Sequence, residues 1–220
     1  MFFKKLLSYL FPIKQFEKSS SINKNIEVTW NFGALVLNSK NTNFSYGSLE
    51  SVMRIGIKNI GKETISKYQT ALILGVAGGS VIKLLQNEFG FTGKITGIEL
   101  DKEIIEIANK YFNLHKIKNF ELINEDASIY VRNIKRQFDF IVVDIFQDNI
   151  MPDFLFTEQF VSDLKRIVAN KGTILFNSIA TLSNEFERNL AFAKLLKQNF
   201  QNVTKLSKVE GNNELFIICD

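Results

Sequence analysis

From residue 71 onward the apolar positions alternate between two periods. ALILG at 71–75 is a short continuous apolar run ending in glycine, the pattern of a parallel strand buried on both faces. SVIKLLQNEF at 80–89 then spaces its apolar residues by three and four, as a helix resting one face on a sheet must, and Gly90 can close it. The same pair of patterns recurs as strand KITGIEL at 94–100 and helix KEIIEIANKYF at 102–112. It continues with a strand near 119–123, a helix near 127–135, strand FDFIVVD at 138–144 and a helix near 157–169. Strand GTILFN at 172–177, a long helix near 183–199 and strands near 203–207 and 213–219 complete the series.

Seven strands separated mostly by helices predict right-handed crossovers and a Rossmann-like α/β fold, its sheet mostly parallel and covered on both faces. The last two strands are joined only by VEGNN, too short for a crossover helix, so the last strand is expected to be antiparallel. Upstream the periods change. IEVTWNFGALVL at 26–37 is rich in β-branched and aromatic residues and predicts one or two strands of a small antiparallel unit. KSSSINKN at 18–25 is polar and without periodicity, which predicts a linker, and the opening MFFKKLLSYLFPI predicts a short basic helix. The expected organisation is therefore a basic helix and linker over 1–25, a small β/α segment over 26–69 and the Rossmann-like domain over 70–220.

Charge changes the picture mainly at the N-terminus. The formal charge is +4, and residues 1–24 hold Lys4, Lys5, Lys14, Lys18 and Lys24 against Glu17, which is 5 − 1 = +4. The rest of the chain carries 22 basic and 22 acidic residues and is neutral, which argues against a nucleic-acid-tracking surface. No apolar run approaches the 18 or so residues that span a bilayer, and Pro12 with no small-residue cleavage site argues against a secretory signal. The opening segment alternates bulky apolar residues with lysines, as a short interfacial helix does, and packing on its own domain or on a partner subunit is the first expectation. The single cysteine, Cys219, lies in the last apolar run with no second thiol, which fits a core position and a reducing cytoplasm. The single histidine, His115, falls in the polar stretch NLHKIKN and is expected to be a surface spacer, and no metal site is expected.

Candidate chemistry collects at the carboxyl ends of the strands, where open α/β sheets bind ligands. The loop GVAGGS at 75–80 follows the first strand, and its glycines Gly75, Gly78 and Gly79 let a backbone approach a ligand and offer N–H groups. A structural strand-to-helix turn has the same form, so the loop alone decides nothing. Glu99 ends the second strand 20 residues after Gly79, the spacing at which an acid accepts from ribose hydroxyls. Asp126 in INEDAS either caps the next helix or accepts the exocyclic amine of an adenine, beside the N–H of Ala127. Asp144 in VVDIF either caps a loop or orients an amine at the reactive end.

Taken together, LILGVAGGSV, GIELDKEIIEIANKYF, NEDAS and FDFIVVDIF resemble the spermidine synthase-like branch of the class I S-adenosylmethionine-dependent methyltransferase superfamily, over roughly residues 70–180. The resemblance implies S-adenosylmethionine, or its decarboxylated form, as cofactor. It implies that the loop Gly75, Val76, Ala77, Gly78 and Gly79 holds the methionine portion, Glu99 and Leu100 the ribose, and Asp126 with Ala127 the adenine. It also implies Asp144 at the reacting end and a homodimer. The departures are as informative. Aminopropyltransferases of the group carry a GGGDGG-like loop and a DSSDP-like segment. Here Gly78 stands at the loop acid, and in DIFQDN Asp144 matches the first acid, Gln147 falls at the second, and Asp148 is displaced by one. Tyr46 corresponds to an amine-pocket tyrosine, but Gly47 follows it where histidine is usual.

Methyl transfer to an unidentified small-molecule acceptor is therefore the first expectation, by in-line attack with catalysis from positioning and desolvation. Asp144 would orient the acceptor, and QDNIMPDFLFT at 146–156 would be a movable lid. Aminopropyl transfer to a diamine is the alternative, with Asp144, Asp148 and Glu50 as the acids a polycation needs. A ligand-binding protein that keeps the fold without catalysis is the third.

Overall fold

A computed structural model describes residues 2–39, 43–147 and 150–220. A short helix α1 (Phe2–Leu7) precedes four strands, β1 (Ile13–Lys18), β2 (Ile26–Asn31), β3 (Ala34–Ser39) and β4 (Asn43–Ser45), which form an antiparallel sheet in chain order. Helices α2 (Gly47–Ile60) and α3 (Lys62–Lys67) lead into the larger unit. There β5 (Thr70–Leu74), α4 (Ser80–Asn87), β6 (Lys94–Glu99), α5 (Lys102–Phe112), β7 (Phe120–Asn124), α6 (Ala127–Asn133) and β8 (Phe138–Val143) follow one another. The chain ends through α7 (Glu158–Ile167), β9 (Val168–Ile179), α8 (Ser183–Asn199), β10 (Asn202–Val209) and β11 (Asn213–Cys219).

The second sheet runs β10-β11-β9-β8-β5-β6-β7. Its five central and edge strands from β9 to β7 are parallel, and β11 is antiparallel to both β9 and β10. The strand order reverses between β5 and β8, which opens a crevice at their carboxyl ends. The continuous apolar runs are explained by burial on both faces. Leu72, Leu74, Ile141 and Val143 face α6, α7 and α8, whereas Ala71, Ile73, Phe140 and Val142 face α2 and α4.

A third cluster joins the two sheets. Ile26, Val28 and Leu37 of the small sheet pack with Ile104, Ile107 and Phe112 of α5. This seats the small sheet beside the carboxyl ends of β5 and β6.

The structure departs from the sequence reading in three places. Ile13–Lys18 is a strand paired with β2, not part of a helix and linker. The register shift between Lys14 and Phe16 breaks the alternation by which a strand is recognised. Cys219 is half-buried rather than a core residue. The C-terminal part of the expected lid is anchored: Met151 and Leu155 are buried in the core, and the Phe156 ring lies 5.1 Å from Phe192 with the Arg188 guanidinium 4.2 Å above it, while residues 148–149 lie outside the described residues. His115 is exposed in a short 3₁₀ turn.

Candidate functional site

A cavity of about 210 Å³ lies at the carboxyl ends of β5, β6, β7 and β8. Gly75 starts the loop after β5 at φ +87°, and a Cβ there would meet the Asp144 carbonyl oxygen at 2.1 Å. Only glycine lets the β5 and β8 ends come this close, so the loop and Asp144 share one floor.

Glu99, at the end of β6, organises that loop. Its Oε2 accepts from the N–H of Val76 at 3.2 Å and of Ala77 at 3.0 Å, and its Oε1 from the N–H of Asp101 at 3.0 Å. Burial raises the Glu99 pKa, and the backbone N–H groups of Asp101, Ala77 and Val76 oppose that shift. A carboxylate has about four lone-pair positions, so three backbone donors leave about one for a ligand hydroxyl. Accepting two ribose hydroxyls at once requires the loop to release a donor.

Two further acids sit at helix starts. Asp101 is buried and caps α5 by accepting from Glu103 N–H at 3.0 Å, while its Oδ2 accepts from Ser20 Oγ and from Asn23 Nδ2 at 2.8 Å. Asp126 caps α6, its Oδ1 accepting from Ser128 N–H at 2.7 Å and Ile129 N–H at 3.2 Å. The cap uses Oδ1, so the cap role and a ligand contact through Oδ2 are compatible. Leu100, Ala127 and Ala77 line the same cavity.

The opposite end is built around Asp144. Asn177, on β9, donates from Nδ2 to Asp144 Oδ1 at 3.0 Å, while Asn177 Oδ1 has no hydrogen-bond partner. Burial pushes the Asp144 carboxyl up to about 7, against the lowering effect of Asn177. Ile145, Phe146, Pro152 and Phe154 make this end apolar, and Gln147 lines it at the rim. Gln147 and Ile150 exchange backbone hydrogen bonds at 2.9 and 3.0 Å.

Other expected residues lie elsewhere. Tyr46 does not line the cavity. Its ring stacks on Phe112 at 5.0 Å, its hydroxyl donates to the Gly78 carbonyl at 3.2 Å, and burial raises its pKa. Gly78 turns toward this same packing, since a Cβ there would meet Ser45 at 3.0 Å and Tyr46 at 3.2 Å. Neither Val76 nor Gly79 lines the cavity. Val76 is buried in the core, and Gly79 opens α4 in a left-handed conformation. Glu50 pairs with Arg54 one helical turn on, and Arg54 also holds Glu88 at 2.7 Å, so Glu50 is no acceptor-site acid. Asp148 lies outside the described residues.

Residues 50–209 match the family model for the spermine/spermidine synthase domain. The chain belongs to that family. Among curated relatives, a polyamine aminopropyltransferase of Vibrio vulnificus is 28% identical over 149 residues, covering 66% of this chain and 49% of that protein. An eEF1A lysine and N-terminal methyltransferase homolog of Drosophila melanogaster is 25% identical over 117 residues, covering 49% of this chain and 17% of that one. The chain thus spans about half the length of the Vibrio relative.

Two solved structures share the fold. A spermidine synthase in complex with the transition-state analogue AdoDATO superposes with a TM-score of 0.73 at 16% identity, covering 94% of this chain and 73% of that one. Human methyltransferase-like protein 13 in complex with SAH superposes with a TM-score of 0.65 at 17% identity, covering 79% and 82%. Among the described residues no helix is long and apolar enough to cross a membrane.

The cavity also contains residues the sequence reading passed over. Ile22 and Asn23 roof it from the polar segment after β1, and Asn177 holds Asp144 from β9. Asp101, Glu125 and Ile104 complete the β6 and β7 side. Asp101 carried a usable signal, a helix-cap aspartate two residues after Glu99.

Proposed function

We propose that this chain binds an S-adenosylmethionine-type sulfonium nucleoside in the cavity and transfers its methyl group to an acceptor presented at Asp144. The residues fit such a group. A nucleoside has hydroxyl and amine donors, and the β6 and β7 side offers Glu99 and Asp126 with acceptor positions left over from the backbone bonds they already make. The cofactor would supply an electrophilic carbon next to a positively charged sulfur. Val76 and Ala77, held by Glu99, fix the path of the glycine loop, and Ile145, Phe146, Pro152 and Phe154 exclude water around the reacting end. Asp144 is oriented by Asn177 and, with a pKa near 7, can take a proton from an acceptor amine near neutral pH.

One observation ranks methyl transfer first. The Gly78 face, where aminopropyltransferases resemble one another in carrying an acid, is filled by Ser45 and Tyr46, and Tyr46 and Glu50 are turned away from the cavity. That leaves Asp144 as the acid within the described acceptor end, too few for a diamine dication. Aminopropyl transfer from the decarboxylated cofactor is the second reading. It is supported by the relatives' names and by a lining with Glu99, Asp101, Glu125, Asp126 and Asp144 but, among the described residues, no lysine or arginine.

Calorimetric titration with both forms of the cofactor separates the readings, with Glu99→Ala as control. Preference for the carboxylated form supports methyl transfer, and preference for the decarboxylated form reverses the ranking. Binding of neither removes both. Tight binding without turnover over a panel of amine acceptors assigns the chain a non-catalytic ligand-binding role. We place this activity in a reducing cytoplasm, on the single half-buried cysteine.

A further inference from the structure

The opening segment is attached to the body in an unusual way. A surface helix normally docks by burying its apolar stripe. Here no described side chain of α1 or of the turn after it belongs to any of the three core clusters. Phe3 is 70% exposed, Leu6 59%, Leu10 79% and Phe11 55%.

What holds the segment is polar. Phe32 N–H donates to the Ser8 carbonyl at 3.0 Å and Gly33 N–H to Ser8 Oγ at 2.9 Å, so Ser8 ties the end of α1 to the β2–β3 turn. The Tyr9 ring lies over Gly33, in space that a Cβ would occupy. In the same turn Phe32 adopts φ +45°, a region costly for a side chain of this size, and its ring is 71% exposed. The Phe32 conformation is the one a two-residue hairpin turn requires, and the Ser8 bonds hold the segment to that turn while five large apolar side chains stay in water. None of this serves the cavity.

The charges beside them share one sign. Lys4 and Lys5 are exposed on α1, and Lys4 Nζ reaches only Gln15 Oε1, at 3.1 Å. The one acid of residues 1–24, Glu17, is paired with Lys14. We propose that α1, the turn through Phe11 and the Phe32 tip form a docking surface for an anionic lipid bilayer. The apolar side chains enter the headgroup boundary and the lysines meet lipid charge. The contact is peripheral, since no described helix can span a membrane. A second copy is the competing occupant, and the test below separates it from lipid. The inference does not depend on the proposed transfer chemistry.

The test is flotation of the full chain with vesicles of phosphatidylcholine alone and of phosphatidylcholine mixed with phosphatidylglycerol. The expected result is flotation with the mixed vesicles only, reversed by raised salt. Leu10→Ser with Phe11→Ser should abolish it, and Lys4→Gln with Lys5→Gln should weaken it by on the order of 30-fold, as two lysine–lipid attractions imply. All four side chains are exposed, so unchanged melting curves will show that the variants fold. Failure to float with either vesicle overturns the proposal, as does equal, salt-independent flotation with both. If the wild type ignores vesicles and the Leu10, Phe11 variant shifts the sedimenting species from dimer to monomer, the patch is a contact between copies and the lipid assignment falls.

Discussion

The two ends of the cavity are built by different means. On the β6 and β7 side three acids accept from backbone: Glu99 from three N–H groups, and Asp101 and Asp126 from the first turns of α5 and α6. On the β8 side a single acid, Asp144, is held by one side-chain amide among apolar neighbours. Backbone donors fix a carboxylate's position and, at Glu99, oppose the upward push of burial on its pKa, whereas at Asp144 one side-chain amide alone opposes that push. The first end is suited to recognition and the second to reaction.

Asp144→Asn gives the largest expected effect. It preserves the shape and the Asn177 contact but cannot accept a proton, so turnover should fall by roughly 10²- to 10⁴-fold with cofactor affinity little changed. A loss confined to affinity would place Asp144 in recognition and erase the contrast. Stability should move the other way. The folded carboxyl, at about 7, binds its proton more tightly than an unfolded aspartate. Stability is therefore full below the ordinary aspartate range and is lost as pH rises through about 7. Asp144→Asn removes that loss and should gain up to about 4 kcal/mol at alkaline pH, with little change in acid. Urea melts at about pH 5 and about pH 8 read the difference.

At the other end, Glu99→Ala should weaken nucleoside binding by about 1.5 to 3 kcal/mol, because a charged acceptor is removed and the Val76, Ala77 and Asp101 N–H groups lose their partner. Calorimetry checks it, and unchanged affinity in a folded variant takes Glu99 out of the site. Gly78→Asp tests the closed face of the loop. Overpacking against Ser45 and Tyr46 should cost about 1 to 3 kcal/mol without creating aminopropyl transfer. A stable variant that gains that activity would mean the face opens toward the acceptor.

The same contrast explains what the sequence disclosed. The place of Glu99 and Asp126 in the cavity wall was legible because it follows from local order, a strand end followed by a helix start. The seven-stranded sheet was legible because its inner strands β5 and β8 are dominated by continuous apolar runs and helical spacing recurs between most of the strands. Asn177 was hidden because its contact with Asp144 comes from the parallel pairing of β8 with β9, 33 residues apart in the chain. Asn23 was hidden in a polar stretch whose composition resembles a linker, though it bonds to Asp101, 78 residues away. Tyr46 and Glu50 matched an expected pattern, but long-range contacts with Phe112 and through Arg54 to Glu88 turn them elsewhere. The β6 and β7 end is written in short segments, and the β8 end is assembled from distant ones.

Tyr46→Phe should have the smallest effect and tests the boundary of the site. The substitution removes one hydrogen bond, to the Gly78 carbonyl at 3.2 Å, and keeps the stacking on Phe112 at 5.0 Å and the Lys83 ammonium 5.2 Å from the ring centre. One neutral hydrogen bond contributes about 1 kcal/mol, so a small shift in the melting midpoint is expected. Cofactor affinity and the acceptor's KM should stay within about twofold, because the hydroxyl faces the underside of the glycine loop and not the cavity. A tenfold rise in the acceptor's KM at unchanged stability would return Tyr46 to the acceptor pocket. That result would also reopen Gly78, whose closed face depends on where the Tyr46 ring lies.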